Sequence, residues 1–496
     1  MEISKMNPTE NKKNLWKYVD EDKYQRHVTI STIDSTTESS EEADDKIVYM
    51  EDLEKRKQVY GICGECNEPG TGEDWCQPCN AKRFKDNFKN WSSGNKEVDE
   101  FIQQSQLNAV HYKKCLEWIP FEKFQNVTYI AEGGFSKVYS AEWPEGHIKY
   151  WDIENQKWYR FIYKYALKRL NNSLDISLDF LNEIKSHLQI YLNDIVQCYG
   201  ITQDPETNEY MMVLQYCEGG NFRNNYINKE LGYYSKIDKL RQIASGLLDI
   251  HNSGKVHKDF HSGNILYIGD LPYISDFGMC QPANIKQSVN QKSVYGVLPY
   301  MAPEVLRGYQ YTKASDIYSF GIMMNEYISE ETPYNNIAHD NGLAIKICEG
   351  LKPSIFKYTP KLLADLITKC WDAEEINRPT AKELYQTLNE WNNDEYEDSD
   401  QVNEYNDKIK LNRTSEKRYN NIPKHPQAIY TSRLLDFKNL PEPANSAFLT
   451  ECLDIQFDEF GKIFTFFYFI MCYFIYLFVC FIDFDKGEIS IKNFND

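Results

Sequence analysis

The spacing of apolar positions changes character along the chain. From Val127 to Lys168, short runs alternate apolar and polar residues between turns, the pattern of β-strands. Within them, Ile148 to Arg160 alternates about Glu154-Asn155 and predicts a long hairpin. After Met211-Met-Val-Leu the spacing becomes helical, as in the stripe from Ile237 to Ile250. This order predicts an α+β fold with a small β-rich lobe followed by a large α-rich lobe.

The flanking segments are mainly polar. Residues 1–60 include a Ser/Thr/Glu/Asp-rich stretch that cannot bury enough apolar surface to offset the entropy of ordering, so we predict a flexible arm. Val98 to Leu107 predicts one short amphipathic helix within a linker. The predicted parts are the arm 1–60, a four-cysteine segment 61–80, the linker 81–120, the bilobal domain 121–391, an acidic and polar tail 392–462, an apolar segment 463–482 and a short polar C-terminus 483–496.

Composition narrows the classes of function. The formal net charge of −19 repels a phosphate backbone, and no run of Lys and Arg offsets it, so nucleic acid is not an expected partner. The N-terminal sequence has no apolar run of the length that a secretory signal needs. We therefore expect a cytoplasmic protein whose thirteen cysteines stay reduced.

Three motifs follow one another in the α-rich half: Val256-His-Lys-Asp-Phe-His-Ser-Gly-Asn264, Ile274-Ser-Asp-Phe-Gly278 and Tyr300-Met-Ala-Pro-Glu304. A glycine-containing turn, Ile130-Ala-Glu-Gly-Gly-Phe-Ser-Lys-Val-Tyr139, and the strand Tyr165-Ala-Leu-Lys168 precede them. In this order the motifs resemble those of the protein kinases, in particular the tyrosine-kinase-like group that is expanded in some fungi. The resemblance covers 121–391 and implies a bilobal protein kinase fold.

The resemblance also implies roles for individual residues. Asp259 would orient the substrate hydroxyl, and Asn264 and Asp276 would hold Mg²⁺. Lys168 would pair with the α- and β-phosphates of ATP and with Glu183. The residues implied around the nucleotide are Ile130, Gly133, Val138, Ala166, Lys168, Gln215, Cys217 and Leu266. The expected activity is phosphorylation of protein hydroxyls, with serine or threonine preferred.

The sequence departs from the family pattern at several positions. Ala131 and Ser136 replace two of the three usual glycines, which hinders backbone approach to phosphate. Lys258 replaces an arginine, so the bidentate grip on a phosphorylated activation segment is lost. His261 and Val297 stand where serine/threonine kinases usually carry lysine and threonine. The alternative hypothesis is a pseudokinase scaffold that binds ATP or partners without efficient catalysis.

Other matches are structural. By the resemblance, Asp316 should brace the catalytic loop and Arg378 should pair with Glu304. His187 and His251 fall in helical stretches, where a packed or capping histidine is the expected role rather than a metal ligand.

The four-cysteine segment carries two Cys-x-x-Cys pairs, with Cys63 and Cys66 in the first and Cys76 and Cys79 in the second. Four thiolates in this arrangement suit a closed tetrahedral Zn²⁺ site. The alternative is four reduced cysteines in a mobile arm.

Ile463 to Ile482 is twenty residues without a charge, the length that a helix needs to cross a bilayer. This segment could anchor the protein in a membrane. It is also rich in Phe, Tyr and Ile in the manner of translated AT-rich intron sequence, so an anchor and an artefact of the gene sequence are both open.

Overall fold

The computed structural model describes residues 15–19, 28–29, 47–133, 136–170, 177–190, 194–223, 229–283, 294–393, 399–414 and 424–445. The apolar segment 463–482 lies outside these ranges. Among the helices described, none is long and apolar enough to cross a membrane.

The described elements fall into four groups along the chain. The N-terminal segment contains β1 (Leu15–Trp16), β2 (Val28–Thr29), β3 (Val48–Tyr49), α1 (Leu53–Tyr60), β4 (Gly61–Ile62), α2 (Gln77–Asn87) and α3 (Lys96–Asn108). The small lobe contains β5 (Glu117–Trp118), β6 (Gln125–Glu132), β7 (Ser136–Glu142), β8 (His147–Asp152), β9 (Lys157–Phe161), β10 (Lys164–Leu170), α4 (Leu178–Gln189), β11 (Cys198–Gln203) and β12 (Tyr210–Gln215).

The large lobe and the tail complete the chain. The large lobe contains α5 (Tyr233–Asn252), β13 (Lys255–Val256), β14 (Ile265–Ile268), β15 (Leu271–Ile274), β16 (Gln281–Pro282), β17 (Val294–Gly296), α6 (Pro303–Leu306), α7 (Lys313–Ser329), α8 (Asn341–Cys348), α9 (Lys361–Cys370) and α10 (Ala381–Asn393). The tail adds α11 (Ser399–Thr414) and β18 (Arg433–Leu435).

A six-stranded sheet forms the small lobe in the order β5-β11-β12-β10-β7-β6, antiparallel except for β5 beside β11. Successive side chains of β10 alternate between its faces. Tyr165 and Leu167 are fully buried on one face, whereas Ala166 and Lys168 share the other. The predicted hairpin is confirmed, since β8 and β9 pair antiparallel.

Helix α3 belongs to the core of the small lobe. Asn95 caps it by accepting from the N–H of Glu97. Its apolar face packs Val98 and Ile102 into one cluster with Phe180 and Ile184 of α4, and all four side chains are fully buried. The predicted helix is therefore present, but the segment assigned as a linker is a folded part of the small lobe.

The large lobe is built around α5 and α7. The predicted stripe on α5 is confirmed, because Ile237, Leu240 and Leu247 are fully buried. Thr312 begins α7 with a capping box, in which its hydroxyl accepts from the N–H of Ser315 and the Ser315 hydroxyl accepts from the N–H of Thr312. Both helices contact β13, the strand that leads into the loop between β13 and β14.

Two flanks are more ordered than the sequence predicted. Part of the N-terminal arm forms α1, which Asp52 caps. In the tail, α11 buries Tyr405, whose hydroxyl lies 3.0 Å from Lys236 Nζ of α5. Residues 424–445 also lie on the large lobe, where β18 pairs with β17. Because both flanks are mainly polar in composition, the sequence did not predict these few buried contacts.

Candidate active site

Lys168 stands at the centre of a three-residue charge cluster. Its Nζ lies 2.7 Å from Glu183 Oε1 and 2.8 Å from Asp276 Oδ1. Burial alone would lower the pKa of Lys168, but the two carboxylates outweigh burial and raise it well above its usual value. Burial would likewise raise the pKa of Asp276, and Lys168 instead holds it at about 2. Both groups are charged at neutral pH.

Glu183 is shielded from solvent and contacts Lys168. Its side chain is fully buried on α4, and burial raises its pKa although Lys168 opposes this effect. The ring of Phe277, next to Asp276, packs edge-on against His187 at 4.7 Å. The cluster is therefore held by the packing of α4 against the loop that follows β15.

The catalytic loop, which runs from His257 to Asn264, is held in place by Asp316 of α7. Asp316 of α7 accepts from the N–H of His257 at 2.8 Å and from the N–H of Lys258 at 3.1 Å. It also lies 3.0 Å from His251 Nε2, so the predicted brace is present. Lys258 and Asp276 both have positive φ, at 71° and 65°, a strained conformation that the surrounding contacts hold in place.

The carboxylate of Asp259 contacts Ser432 of the tail and His261 of its own loop. Its Oδ2 accepts a hydrogen bond of 2.6 Å from the hydroxyl of Ser432, and its Oδ1 lies 3.7 Å from His261 Nε2. Asp259 is 5% exposed, and burial would raise its pKa. The contacts with His261 and Ser432 outweigh burial and lower the pKa of Asp259, so the carboxylate is ionised and able to accept a proton.

His261 holds a defined orientation beside Asp259. Its Nδ1 accepts from the N–H of Gly263 at 3.0 Å, which leaves Nε2 to carry hydrogen. Nε2 lies 3.2 Å from Ser432 Oγ. This histidine thus places an N–H donor close to the hydroxyl of Ser432.

The donor set fits a magnesium ion. The amide nitrogen of Asn264 donates to the backbone oxygen of Asp259 at 2.9 Å, which leaves Asn264 Oδ1 to face a cation. The carboxylate of Asp276 adds a second hard oxygen ligand, and this side chain is 43% exposed. Mg²⁺ prefers such oxygen ligands together with water and phosphate. Asn264 and Asp276 would therefore hold the ion that neutralises the phosphates.

The predicted nucleotide residues lie on strands β6, β7, β10, β12 and β14 or next to them. Val138 and Leu214 lie opposite Lys168 and Ala166 across the sheet, so the four side chains share a face. Ala166, Cys217 and Leu266 are partly buried around the same apolar cluster. Ile130 is 44% exposed on β6, and the N–H of Gly133 donates to Ser136 O at 2.8 Å in the turn that follows. Gln215 ends β12.

Arg378 and Glu304 form the predicted buried ion pair. Arg378 Nη1 lies 2.7 Å from Glu304 Oε1, and Nη2 lies 2.9 Å from Oε2. The pair joins α6, at the end of the activation segment, to the loop before α10. The pair therefore has a structural role, since it ties these two segments of the large lobe together.

The four cysteines converge at the N-terminal segment. Their sulfur atoms all lie within 4.8 Å of one another, with Cys63 and Cys79 at 3.9 Å and Cys66 and Cys76 at 3.6 Å. A tetrahedral zinc ion with Zn–S bonds of about 2.3 Å would place its sulfurs roughly 3.8 Å apart. The cluster therefore fits zinc in donor chemistry and in spacing.

Reasoning from the sequence missed Ser432 and assigned no role to His261. The sequence marks His261 only as a departure from the usual lysine. Ser432 lies in the short β-prone run Ala428-Ile-Tyr-Thr-Ser-Arg-Leu-Leu435, which stands out in a polar tail and could have indicated a strand. No local signal shows that this strand reaches Asp259, because the two residues are 173 positions apart.

Parts of this chain are similar in sequence to known proteins. Residues 124–388 match the family described as protein tyrosine and serine/threonine kinase. A probable LIM domain-containing serine/threonine-protein kinase of Dictyostelium discoideum is 29% identical over 179 residues, 36% of this chain and 27% of that protein. Mitogen-activated protein kinase kinase kinase 7 of Homo sapiens is 25% identical over 285 residues, 55% of this chain and 42% of that protein.

The chain belongs to the protein tyrosine and serine/threonine kinase family, since the matched residues make up more than half of it. The bilobal α+β kinase fold predicted from the sequence is confirmed. The matches cover less than half the length of each of these relatives. The roles of the individual site residues stay predictions, although the structure brings Lys168, Glu183 and Asp276 into contact.

Proposed function

We propose that this protein is an active kinase that transfers the γ-phosphoryl group of magnesium-bound ATP to hydroxyls of proteins, serine and threonine in particular. The observation that carries the proposal is the contact of Lys168 Nζ with both Glu183 and Asp276. Catalysis of phosphoryl transfer depends on positioning and charge stabilisation rather than covalent chemistry. The contacts among these three side chains support the proposal, because they hold a charged lysine beside the carboxylate that would bind the metal.

Each residue has a distinct task in this mechanism. Lys168 would position the α- and β-phosphates, and Glu183 would keep the lysine charged and in place. Asn264 and Asp276 would hold Mg²⁺, which offsets the charge on the phosphates. Asp259 would orient the substrate hydroxyl and take its proton, because its carboxylate is ionised and 2.6 Å from a hydroxyl.

The finer assignment is to the tyrosine-kinase-like group. The run Tyr300-Met-Ala-Pro-Glu304 and the serine hydroxyl at Asp259 support a serine/threonine acceptor. The cytosol is the proposed compartment, because the proposed reaction consumes cytosolic ATP. The competing pseudokinase hypothesis draws support from Ala131 and Ser136 in the glycine turn.

Transfer of radiolabelled phosphate from ATP by the full-length protein separates the two hypotheses. We expect label in the chain itself and in a generic protein acceptor, and a loss of about 100-fold or more for Asp259→Asn, which keeps the shape of the side chain and removes the base. Equal labelling by the wild-type and Asp259→Asn proteins would contradict the proposal. Absence of label in every acceptor would favour the pseudokinase.

We also propose that the four cysteines bind one structural zinc ion per chain. Elemental analysis of the full-length protein should find zinc at one equivalent, and Cys63→Ser with Cys66→Ser should lose it because two of the four thiolates are gone. Cys348→Ala, which changes a buried cysteine of the large lobe, serves as the control and should keep the metal. A wild-type protein free of metal after purification without chelators would contradict the site.

A further inference from the structure

Residues 424–445, which we name the strap, cross the large lobe over the catalytic loop. Both ends of the strap are tied down. The contacts at the two ends are His425 N to Asn335 O (2.9 Å), His339 N to Gln427 O (3.0 Å), Ala444 N to Cys348 O (2.9 Å) and the Arg307–Glu442 ion pair. The strap therefore has a defined path.

The middle of the strap adds a strand to β17, which lies between the Asp-Phe-Gly and Ala-Pro-Glu motifs. β18 pairs antiparallel with β17, with Arg433 opposite Gly296 and Leu435 opposite Val294. Leu435 is 7% exposed, so its side chain is anchored as well as its backbone. Addition of an extended peptide to an exposed strand is a general mode of peptide recognition. The strap thus contacts the enzyme as a bound peptide would.

A second anchor lies on the other side of Ser432. The ring of Tyr430 packs on the guanidinium of Arg223 at 4.4 Å, and the Tyr430 hydroxyl donates to Pro333 O at 2.8 Å. Ser432 is therefore held between two anchors, Tyr430 before it and Leu435 after it. Its position beside Asp259 is fixed by the path of the strap and not by one hydrogen bond.

The polar contacts of Ser432 are those of a reacting hydroxyl. Its O–H donates to Asp259 Oδ2 at 2.6 Å, and its oxygen lies 3.2 Å from the N–H of His261. The Ser432 side chain also contacts Tyr295 of β17. A segment that served only to block access to Asp259 would need no hydroxyl here, since alanine would fill the same place.

We propose that Ser432 is an intramolecular phosphoryl acceptor: the strap is the first substrate of this kinase, and its phosphorylation opens the site to other proteins. This proposal rests on the kinase activity proposed above. In the step, the Ser432 hydroxyl gives its proton to Asp259 Oδ2 and its oxygen forms a bond to the γ-phosphorus of ATP. The bond from that phosphorus to the β–γ bridging oxygen breaks, and ADP leaves with the electron pair.

Phosphoserine at residue 432 fits this position less well than serine does, because it is negatively charged. A phosphoserine carries a charge of about −1.5 to −2 at neutral pH. The phosphate would form next to the carboxylate of Asp259, whose Oδ2 lies 2.6 Å from Ser432 Oγ. Repulsion should therefore displace the middle of the strap from β17. Before Ser432 is phosphorylated, the strap excludes any other peptide from Asp259.

The first test maps phosphate on the full-length protein by mass spectrometry, after phosphatase treatment and incubation with MgATP. We expect one phosphate on Ser432, formed at a rate that does not change with protein dilution. Ser432→Ala should lose this phosphate, and Thr431→Ala, which alters an exposed neighbouring hydroxyl, should keep it. Lys168→Met protein mixed with the wild type should stay unlabelled on Ser432.

Several outcomes would overturn the proposal. Transfer to a generic acceptor while Ser432 stays unmodified would overturn the proposal and leave the kinase activity intact. Labelling of Ser432 in the Lys168→Met protein, or a rate that rises with concentration, would replace the intramolecular route by an intermolecular one. Absence of transfer to every acceptor would reject the kinase activity, and this proposal with it.

A second test concerns displacement of the strap. Leu435→Asp should loosen the buried anchor of β18, because a charge cannot replace Leu435 against Val294. In a Ser432→Ala background, we expect Leu435→Asp to raise the initial rate on a generic protein acceptor by roughly tenfold or more. If Ser432→Ala protein is already as fast as the double variant, the strap does not block the site and the proposal is wrong.

Discussion

Replacement of Asp276 by Asn should reduce phosphoryl transfer by about 1,000-fold while the protein stays folded. The change keeps the size of the side chain and its position beside Lys168. It removes a negative charge that would bind Mg²⁺ and that lies 2.8 Å from Lys168 Nζ. The expected loss appears in kcat, because the metal stabilises charge that develops during transfer.

The control for this variant is Asp270→Asn. Asp270 lies in the turn between β14 and β15, is 75% exposed, and pairs only with Lys229 among its described ion-pair partners. Its replacement should leave the rate of transfer unchanged. Steady-state rates with a generic acceptor, together with circular dichroism of all three proteins, provide the measurement. Full activity of Asp276→Asn would exclude the proposed metal site.

Removal of Arg378 should have the largest effect on stability. Arg378→Ala leaves the carboxylate of Glu304 buried without its bidentate partner, and the loss of one member of a buried pair costs about 3–5 kcal/mol. The pair is nearly solvent-free, with side-chain exposures of 0% for Arg378 and 7% for Glu304. We therefore expect a much lower midpoint in urea denaturation of the full-length protein.

Lys361→Ala provides the matched control. Lys361 is 76% exposed and pairs with Asp365 one turn along α9. Such surface pairs contribute about 0.3–0.5 kcal/mol, so the midpoint should hardly move. A similar small shift for Arg378→Ala would show that the buried pair does not hold α6 in place.

The sequence predicted the features that short-range patterns encode. The alternation of β10 fixes which side chains share a face with Lys168, and three motifs place Asp259, Asn264 and Asp276 in chain order. The hairpin of β8 and β9 follows from its turn and alternation. Each of these predictions depends on residues that are close in sequence or on the family resemblance.

The contacts that the sequence did not predict are long-range. The period of α3 shows that it has an apolar face, but it does not show that the face packs against Phe180 of α4. No residue pattern in the short strand β18 predicts that it pairs with β17. Polar composition in the tail is compatible with order when a few residues, such as Leu435 and Tyr405, are buried.

The packing of α3 against α4 determines where the protein can be cut. The residues that match the kinase family begin at 124, yet the cooperative unit begins earlier, because Val98, Ile102 and Leu116 fill the same cluster as Phe180. A fragment that starts at residue 121 would expose an apolar patch on the helix that carries Glu183. Such a fragment should self-associate and hold Lys168 loosely, so its inactivity would say nothing about the whole enzyme.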